Sequence, residues 1–138
     1  MNHAIFLPAL AMVALTFIVL GTMFRRRVAQ MKRDRVHPQA VATSQQAAVL
    51  FTDVAPADNL RNLFEMPVLF HAACAMALAA KVVDTTLVSL AWAFVAARVA
   101  HSVIHIGHNN VPQRALAFTA SAVLALAMWI VLVVRASA

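Results

Sequence analysis

One arginine, one amide and one carboxylate stand at the start of a long apolar run. Arg61, Asn62 and Glu65 come shortly before residues 68–80, which contain no acidic side chain and no lysine or arginine. In an α-helix Arg61 and Glu65 are four residues apart and share a face, with Asn62 beside them. Arginine binds carboxylates in a bidentate manner, so this set suits a charged ligand.

A second polar set follows in the next apolar segment. Arg98, His101 and His105 are spaced i, i+3 and i+7 and therefore form one helical stripe. Arg114 stands at the start of the last apolar segment. If Glu65 pairs with one of the arginines, the combined set keeps a net positive charge. A pocket of that charge suits an anionic ligand.

Composition identifies the kind of protein that positions these side chains. The chain has 138 residues, of which 63% are hydrophobic and only 12% charged, whereas soluble domains carry about 25% charged residues. This excludes a soluble globular domain. The net charge of +6 does not indicate nucleic acid, because the basic residues cluster beside an apolar span without interleaved aromatic residues. The single cysteine, Cys74, excludes an internal disulfide and a multi-cysteine metal site.

Four segments are apolar enough to cross a bilayer, so we predict an all-α integral membrane protein that folds as a four-helix bundle, with residues 1–138 as one domain. About 20 residues at roughly 1.5 Å each span a hydrocarbon core of about 30 Å. Three arginines follow the first apolar run rather than precede it, which argues against a signal peptide. The predicted spans are about 4–24, 60–80, 85–106 and 115–134, and residues 25–59 form a basic cytoplasmic loop.

The distribution of basic residues predicts the orientation. Six lie in the loop after the first span, Arg61 and Arg114 fall on the same side, and only Lys81 and Arg135 fall on the other. The positive-inside rule then places both termini outside the cytoplasm. The brevity of the chain favours a bacterial inner membrane. This threading brings the candidate residues to one cytoplasmic level, where they can converge: Arg61, Glu65, Arg98, His101, His105 and Arg114.

Three motifs, in this order and spacing, resemble the MAPEG family, the membrane-associated proteins in eicosanoid and glutathione metabolism. They are Arg61-Asn62-x-x-Glu65-x-Pro67, Arg98-x-x-His101 and Pro112-x-Arg114. The resemblance implies a homotrimer of four-helix subunits with glutathione bound between neighbouring subunits at the cytoplasmic side.

The resemblance also assigns roles to the residues. Arg61, Asn62, Glu65, Arg98 and His101 would contact glutathione, with arginines on its carboxylates and Glu65 on its ammonium. In addition, His105 could donate a hydrogen bond to glutathione, and Arg114 would be the catalytic residue that stabilises the thiolate. The implied function is a glutathione-dependent transferase or peroxidase that acts on a lipophilic small molecule arriving through the lipid bilayer.

Three positions depart from the family pattern. The chain has no tyrosine, and His105 stands where members of the eicosanoid branch commonly carry one. Ala115 replaces a serine found in some relatives, and Asp58 stands where some relatives place another arginine. These departures favour an alternative, a non-catalytic scaffold or accessory subunit that keeps the MAPEG fold.

Two further alternatives remain open from the sequence. His71 and His101 lie at similar predicted depth in two helices and could serve as axial ligands of a haem. The charged residues could instead form an interhelical ion-pair network that only fixes packing.

Overall fold

The computed structural model describes residues 2–137, and this part of the chain contains helices and no strand. Short 3-10 turns at Asn2–Ile5 and Pro38–Val41 accompany five α-helices. Four of the five are long and apolar enough to cross a membrane. The predicted all-α fold with four long apolar helices is confirmed. The α-helices are α1 (Phe6–Asp34), α2 (Ser44–Leu50), α3 (Ala55–Ala79), α4 (Thr85–Ile106) and α5 (Val111–Ala136).

Helix α1 extends well past the apolar segment predicted as the first span. The charge-free run ends at Phe24, but the helix continues through the basic residues to Asp34, so the segment predicted as a loop from residue 25 is helical in its first ten residues. Its 29 residues give a length of about 44 Å, more than the roughly 30 Å of a hydrocarbon core. Arginine, lysine, glutamine and alanine are good helix formers, and neither glycine nor proline interrupts them before Pro38.

Side chains cap several of the helix starts. Thr43 forms a capping box with Gln46 at the start of α2, and the Asp84 carboxylate accepts from the backbone N–H of Leu87 at 2.8 Å. Helix α3 has no side-chain cap and begins with Pro56 in its first turn, where a missing N–H costs nothing. Caps satisfy the backbone N–H groups of the first turn, which have no partner within the helix.

The long helices run alternately up and down. The Arg26 guanidinium reaches the carbonyl of Ile106 at 3.5 Å, which places the end of α1 beside the end of α4. At the other end of the bundle, Arg135 of α5 pairs with Asp84 at 3.1 Å. We call the first of these the basic end: α1 and α4 finish there, and α3 and α5 begin there.

Apolar side chains fill the middle of the bundle. The rings of Phe70 and Phe94 stack with centroids 4.5 Å apart, joining α3 to α4. Met12 of α1 and Met128 of α5 are fully buried around them, and Cys74 packs in the same core. Tight packing between the helices, which lipid cannot replace, holds the polar residues of α4 at fixed positions.

The connection between α1 and α3 is tied back onto α1. Gln30 is buried, and its side chain donates to the carbonyl of Leu50 at 3.1 Å and accepts from the backbone N–H of Thr52 at 3.2 Å. Arg27 lies over the ring of Phe51 at 5.0 Å. These contacts make the connection part of the folded basic end.

We expect Gln30→Ala to loosen this connection without unfolding the bundle. The variant loses two hydrogen bonds, each worth about 1 kcal/mol, so backbone amides of residues 50–52 should exchange hydrogen at least about tenfold faster. Hydrogen exchange followed by mass spectrometry measures this. Gln45→Ala is the matched control because Gln45 is exposed. Equal exchange in both variants would contradict the anchoring role of Gln30.

Candidate functional site

The polar stripe of α4 points into the bundle. Arg98, His101 and His105 have relative exposures of 0%, 2% and 3%. The i, i+3, i+7 spacing predicts a common face, and the structure places all three on the buried face, between α3 and α5. Buried charged and polar side chains need partners, so the contacts of each one indicate what it can do.

Arg98 is a buried cation with few partners. One terminal nitrogen, Nη2, donates to the carbonyl of Asn62 at 2.9 Å, and the guanidinium carbon lies 5.6 Å from the centroid of the Phe118 ring. Nε and Nη1 have no hydrogen-bond partner. Within residues 2–137 no carboxylate lies within ion-pair distance of Arg98. An arginine held in this way can accept an anionic group without first giving up a carboxylate.

His101 is fixed by the first turn of α5. Its Nδ1 lies 2.9 Å from the carbonyl oxygen of Arg114, and since a carbonyl only accepts, Nδ1 carries the proton. In the neutral ring Nε2 is then an acceptor, and it has no partner within the bundle. The rings of His101 and His105 meet edge to face at 5.4 Å, and Nδ1 of His105 also lacks a partner.

Two residues that the sequence did not single out belong to the same cluster. The hydroxyl of Ser102 donates to Oδ1 of Asn59 at 3.3 Å, both side chains are buried, and Nδ2 of Asn59 has no partner. Asn59 stands one helical turn before Asn62, and that spacing was the available signal. All five unpartnered buried side-chain atoms in the described part of the chain therefore belong to one cluster, formed by Asn59, Arg98, His101 and His105.

Arg61 and Glu65 are not buried with this cluster. Both are exposed on the outer face of α3, because the buried face of this helix passes through Asn59, Leu63 and Phe70. Arg61 pairs with Asp58 at 3.7 Å, and within residues 2–137 Glu65 forms no ion pair. The expectation that Glu65 pairs with an arginine is therefore wrong within a single chain. Asn62 contributes its backbone carbonyl to Arg98, and its side chain is half-buried.

Arg114 lies at the basic end, in the first turn of α5. Its guanidinium donates to Oδ1 of Asn109 at 2.7 Å and is partly exposed. Asn109 has a left-handed backbone, φ 48°, a conformation that asparagine tolerates better than most residues. The backbone of Arg114 thus holds His101, while its side chain lies at the surface of the same end.

Two cavities border α3, and none of the buried polar residues of α4 lines either of them. One of about 300 Å³ lies at the basic end and is lined by Arg27, Asp58 and Arg61 among others. The other, of about 400 Å³, is an apolar cleft between α1 and α3 that His71 borders. His71 therefore faces α1, whereas His101 contacts α5. This arrangement does not fit a haem held by these two histidines of one chain. Residues 2–137 contain no group of three or more histidine, cysteine, aspartate or glutamate side chains that could hold a metal ion.

The comparisons with known proteins agree with this geometry at the level of the family. The MAPEG family model matches residues 5–134, a range that covers nearly all of the four long helices. The chain belongs to the MAPEG family. The resemblance carried by the three motifs is thus confirmed. No curated protein matches the chain, and no solved structure does.

We expect Arg98→Met to stabilise this MAPEG protein in the absence of ligand. Methionine keeps the length of the side chain and removes a buried cation that has one hydrogen bond, a change worth on the order of 1 kcal/mol. The thermal unfolding midpoint in detergent should rise. Arg33→Met is the control, because Arg33 sits in an exposed pair with Asp34 and should leave the midpoint unchanged. A clear fall for Arg98→Met alone would mean that the buried charge is already compensated.

Proposed function

We propose that this MAPEG protein is a membrane-embedded, glutathione-dependent transferase or peroxidase that acts on a lipophilic electrophile. The family includes glutathione-using members. The observation that carries the proposal is the buried Arg98–His101–His105 cluster, which holds a cation and unpartnered polar atoms in an apolar bundle. Such groups are costly in a membrane and are expected where a polar ligand binds.

The charges of glutathione match this end of the bundle. Glutathione has two carboxylates and one ammonium. Arg98 offers two unpartnered nitrogens, and Arg61 and Arg114 add two further cations. The Glu65 carboxylate, which has no ion pair in the described part of the chain, would meet the ammonium. Charge-assisted hydrogen bonds of this kind are about twice as strong as neutral ones.

Arg114 is our choice for the thiolate-stabilising residue. It is the fourth residue of α5. The backbone N–H groups at the start of this helix and the guanidinium of Arg114 together produce a positive electrostatic field there. A thiol with a pKa near 8.5 is activated by a neighbouring cation, because the cation stabilises the thiolate. The thiolate sulfur would attack an electrophilic carbon, and the leaving group would depart with the bonding electrons. Positioning and electrostatic stabilisation would provide most of the rate.

A homotrimer would complete the site. The exposed outer face of α3 carries Arg61 and Glu65 beside the exposed apolar side chains Phe64 and Val68. A carboxylate next to lipid is unfavourable, whereas a second copy of the chain would cover this face. Glutathione bound between subunits would then contact Arg61, Asn62 and Glu65 together with the α4 stripe.

The basic end would face the cytoplasm. It contains the arginines at the end of α1 together with Arg61 and Arg114, while the other end has Lys81 and Arg135. The positive-inside rule then places both termini on the non-cytoplasmic side of what we propose is a bacterial inner membrane. Glutathione would enter from the cytoplasm, and the electrophile from the bilayer.

A second candidate function is a non-catalytic scaffold or accessory subunit with the MAPEG fold. Three observations favour it: Asp58 partly neutralises Arg61 at 3.7 Å, the chain has no tyrosine, and Ala115 offers no hydroxyl beside Arg114. Binding of glutathione distinguishes the two functions.

We expect the detergent-purified protein to bind glutathione, with binding weakened in Arg114→Met. Loss of a hydrogen bond to a charged group costs about 1.5–3 kcal/mol, so the Kd should rise roughly tenfold to a hundredfold. Isothermal titration calorimetry measures it. Arg135→Met removes the same charge from the opposite end, where Arg135 pairs with Asp84, and should bind as the wild type does. A folded protein that binds no glutathione would favour the scaffold.

We expect the protein to contain three copies of the chain in mild detergent. The number three is what the MAPEG resemblance implies, and a neighbouring copy would cover the exposed charge of Glu65 on an apolar helix. Native mass spectrometry gives the number of copies directly. A monomer at every protein concentration, in a sample that retains its helical content, would contradict a site shared between subunits.

A further inference from the structure

A groove at the end of α1 is lined by none of the residues of the candidate glutathione site. It has a volume of about 530 Å³, with an apolar floor of the half-buried Val28, Met31 and Val36 and the exposed Pro38 at its edge. Its rim carries Lys32, Arg35 and His37. A groove with an apolar floor and a cationic rim is complementary to an amphipathic anion.

The position of the groove along α1 places its inner edge, at Val28, at the level of lipid headgroups. The charge-free run of α1 ends at Phe24, and Val28 and Met31 lie about 6 Å and about 10 Å farther along the helix axis. The headgroup layer is about 5–8 Å thick on each side of the hydrocarbon core. The long side chains of Lys32 and Arg35 can reach back towards this layer.

The charges at the rim are not used inside the described part of the chain. Lys32 and Arg35 are exposed, and neither takes part in any of its ion pairs. Asp34, the nearest acidic residue in the sequence, is paired with Arg33 at 2.9 Å. The rim therefore offers two cations and no unpaired carboxylate.

Arg35 occupies a backbone position that usually belongs to glycine. It ends α1 in the left-handed region, φ 53°, with its own N–H bonded to the carbonyl of Met31. Glycine or asparagine is preferred at this position because it avoids the steric cost of a side chain. The arginine side chain is therefore not needed to end the helix. Replacing it with glycine removes the charge and keeps the backbone conformation.

From the apolar floor, the depth and the unpaired cations, we propose that this groove binds one anionic phospholipid. Lys32 and Arg35 hold the phosphate, and the glycerol backbone of the lipid lies on Val28, the lining residue nearest the hydrocarbon core. A zwitterionic lipid fits less well, because its ammonium would lie beside two cations with no unpaired carboxylate to meet it. The site is separate from the glutathione site and does not depend on the proposed function.

The test compares the full chain in two kinds of nanodisc, one of phosphatidylcholine alone and one of equal parts phosphatidylcholine and phosphatidylglycerol. We expect phosphatidylglycerol to raise the thermal unfolding midpoint and to remain bound in native mass spectrometry. Lys32→Gln should weaken retention of this lipid about fivefold, since one basic residue near an anionic surface contributes about 1 kcal/mol. Equal midpoints of the wild type in both nanodiscs would overturn the proposal.

Two variants separate a defined site from general attraction. Arg25→Gln removes an exposed cation of α1 that lies outside the groove, and it should keep the full effect of phosphatidylglycerol. Arg35→Gly relieves the backbone and should be at least as stable as the wild type in phosphatidylcholine, yet it should lose most of the gain from phosphatidylglycerol. Equal losses in Arg25→Gln and Lys32→Gln would mean diffuse electrostatic attraction and would overturn the site.

A water-soluble probe distinguishes a lipid from a free phosphate. Glycerol 3-phosphate carries the headgroup charge without acyl chains and should leave the midpoint unchanged in phosphatidylcholine nanodiscs. Stabilisation by glycerol 3-phosphate equal to that by phosphatidylglycerol would overturn the lipid assignment. Glutathione binding should be the same in Lys32→Gln as in the wild type, because Lys32 is not a candidate glutathione contact. The lipid test does not measure glutathione binding, so its outcome is independent of the proposed function.

Discussion

The burial of the Arg98 guanidinium is the constraint around which this protein is arranged. The side chain has a relative exposure of 0%, one hydrogen bond to a backbone carbonyl, and an aromatic ring whose centroid lies 5.6 Å from the guanidinium carbon. Such a cation is tolerated only if the surrounding helices are fixed, because a shift would leave it without partners in an apolar interior. The stacked rings of Phe70 and Phe94 help fix the helices α3 and α4 that surround it.

The cluster around Arg98 is built from backbone as much as from side chains. The carbonyl of Asn62 accepts from Arg98, and the carbonyl of Arg114 orients His101. A backbone carbonyl in the third turn of α3 and one in the first turn of α5 therefore position the polar stripe of α4. A substitution that shifts either of these turns would disturb the stripe without touching its side chains.

The two sets of polar residues face different surroundings. The stripe of α4 is buried inside one chain, where some of its polar atoms have hydrogen-bond partners and others have none. Arg61 and Glu65 instead lie on the outer face of α3. A ligand that meets both sets must lie where the interior of one chain approaches an exposed face. That geometry arises naturally between neighbouring copies in a symmetric assembly, and it connects the proposed trimer to the proposed glutathione site.

The sequence alone determined the number of long helices, the polar stripe and the family. Hydropathy and the 3.6-residue period are local properties, so four apolar segments and the common face of Arg98, His101 and His105 could be read directly. The same local information missed the extension of α1 to Asp34, because hydropathy reports the apolar part of a helix and not the helix itself.

Only the tertiary structure decided which polar groups meet. Ser102 and Asn59 are 43 positions apart in the chain, and no local pattern specifies such a contact. The direction of Glu65 likewise depends on how α3 is rotated about its own axis, which is set by the burial of Leu63 and Phe70 against the other helices. Rotation and pairing of helices follow from the packing of the whole bundle, and periodicity within one helix contains no information about its neighbours.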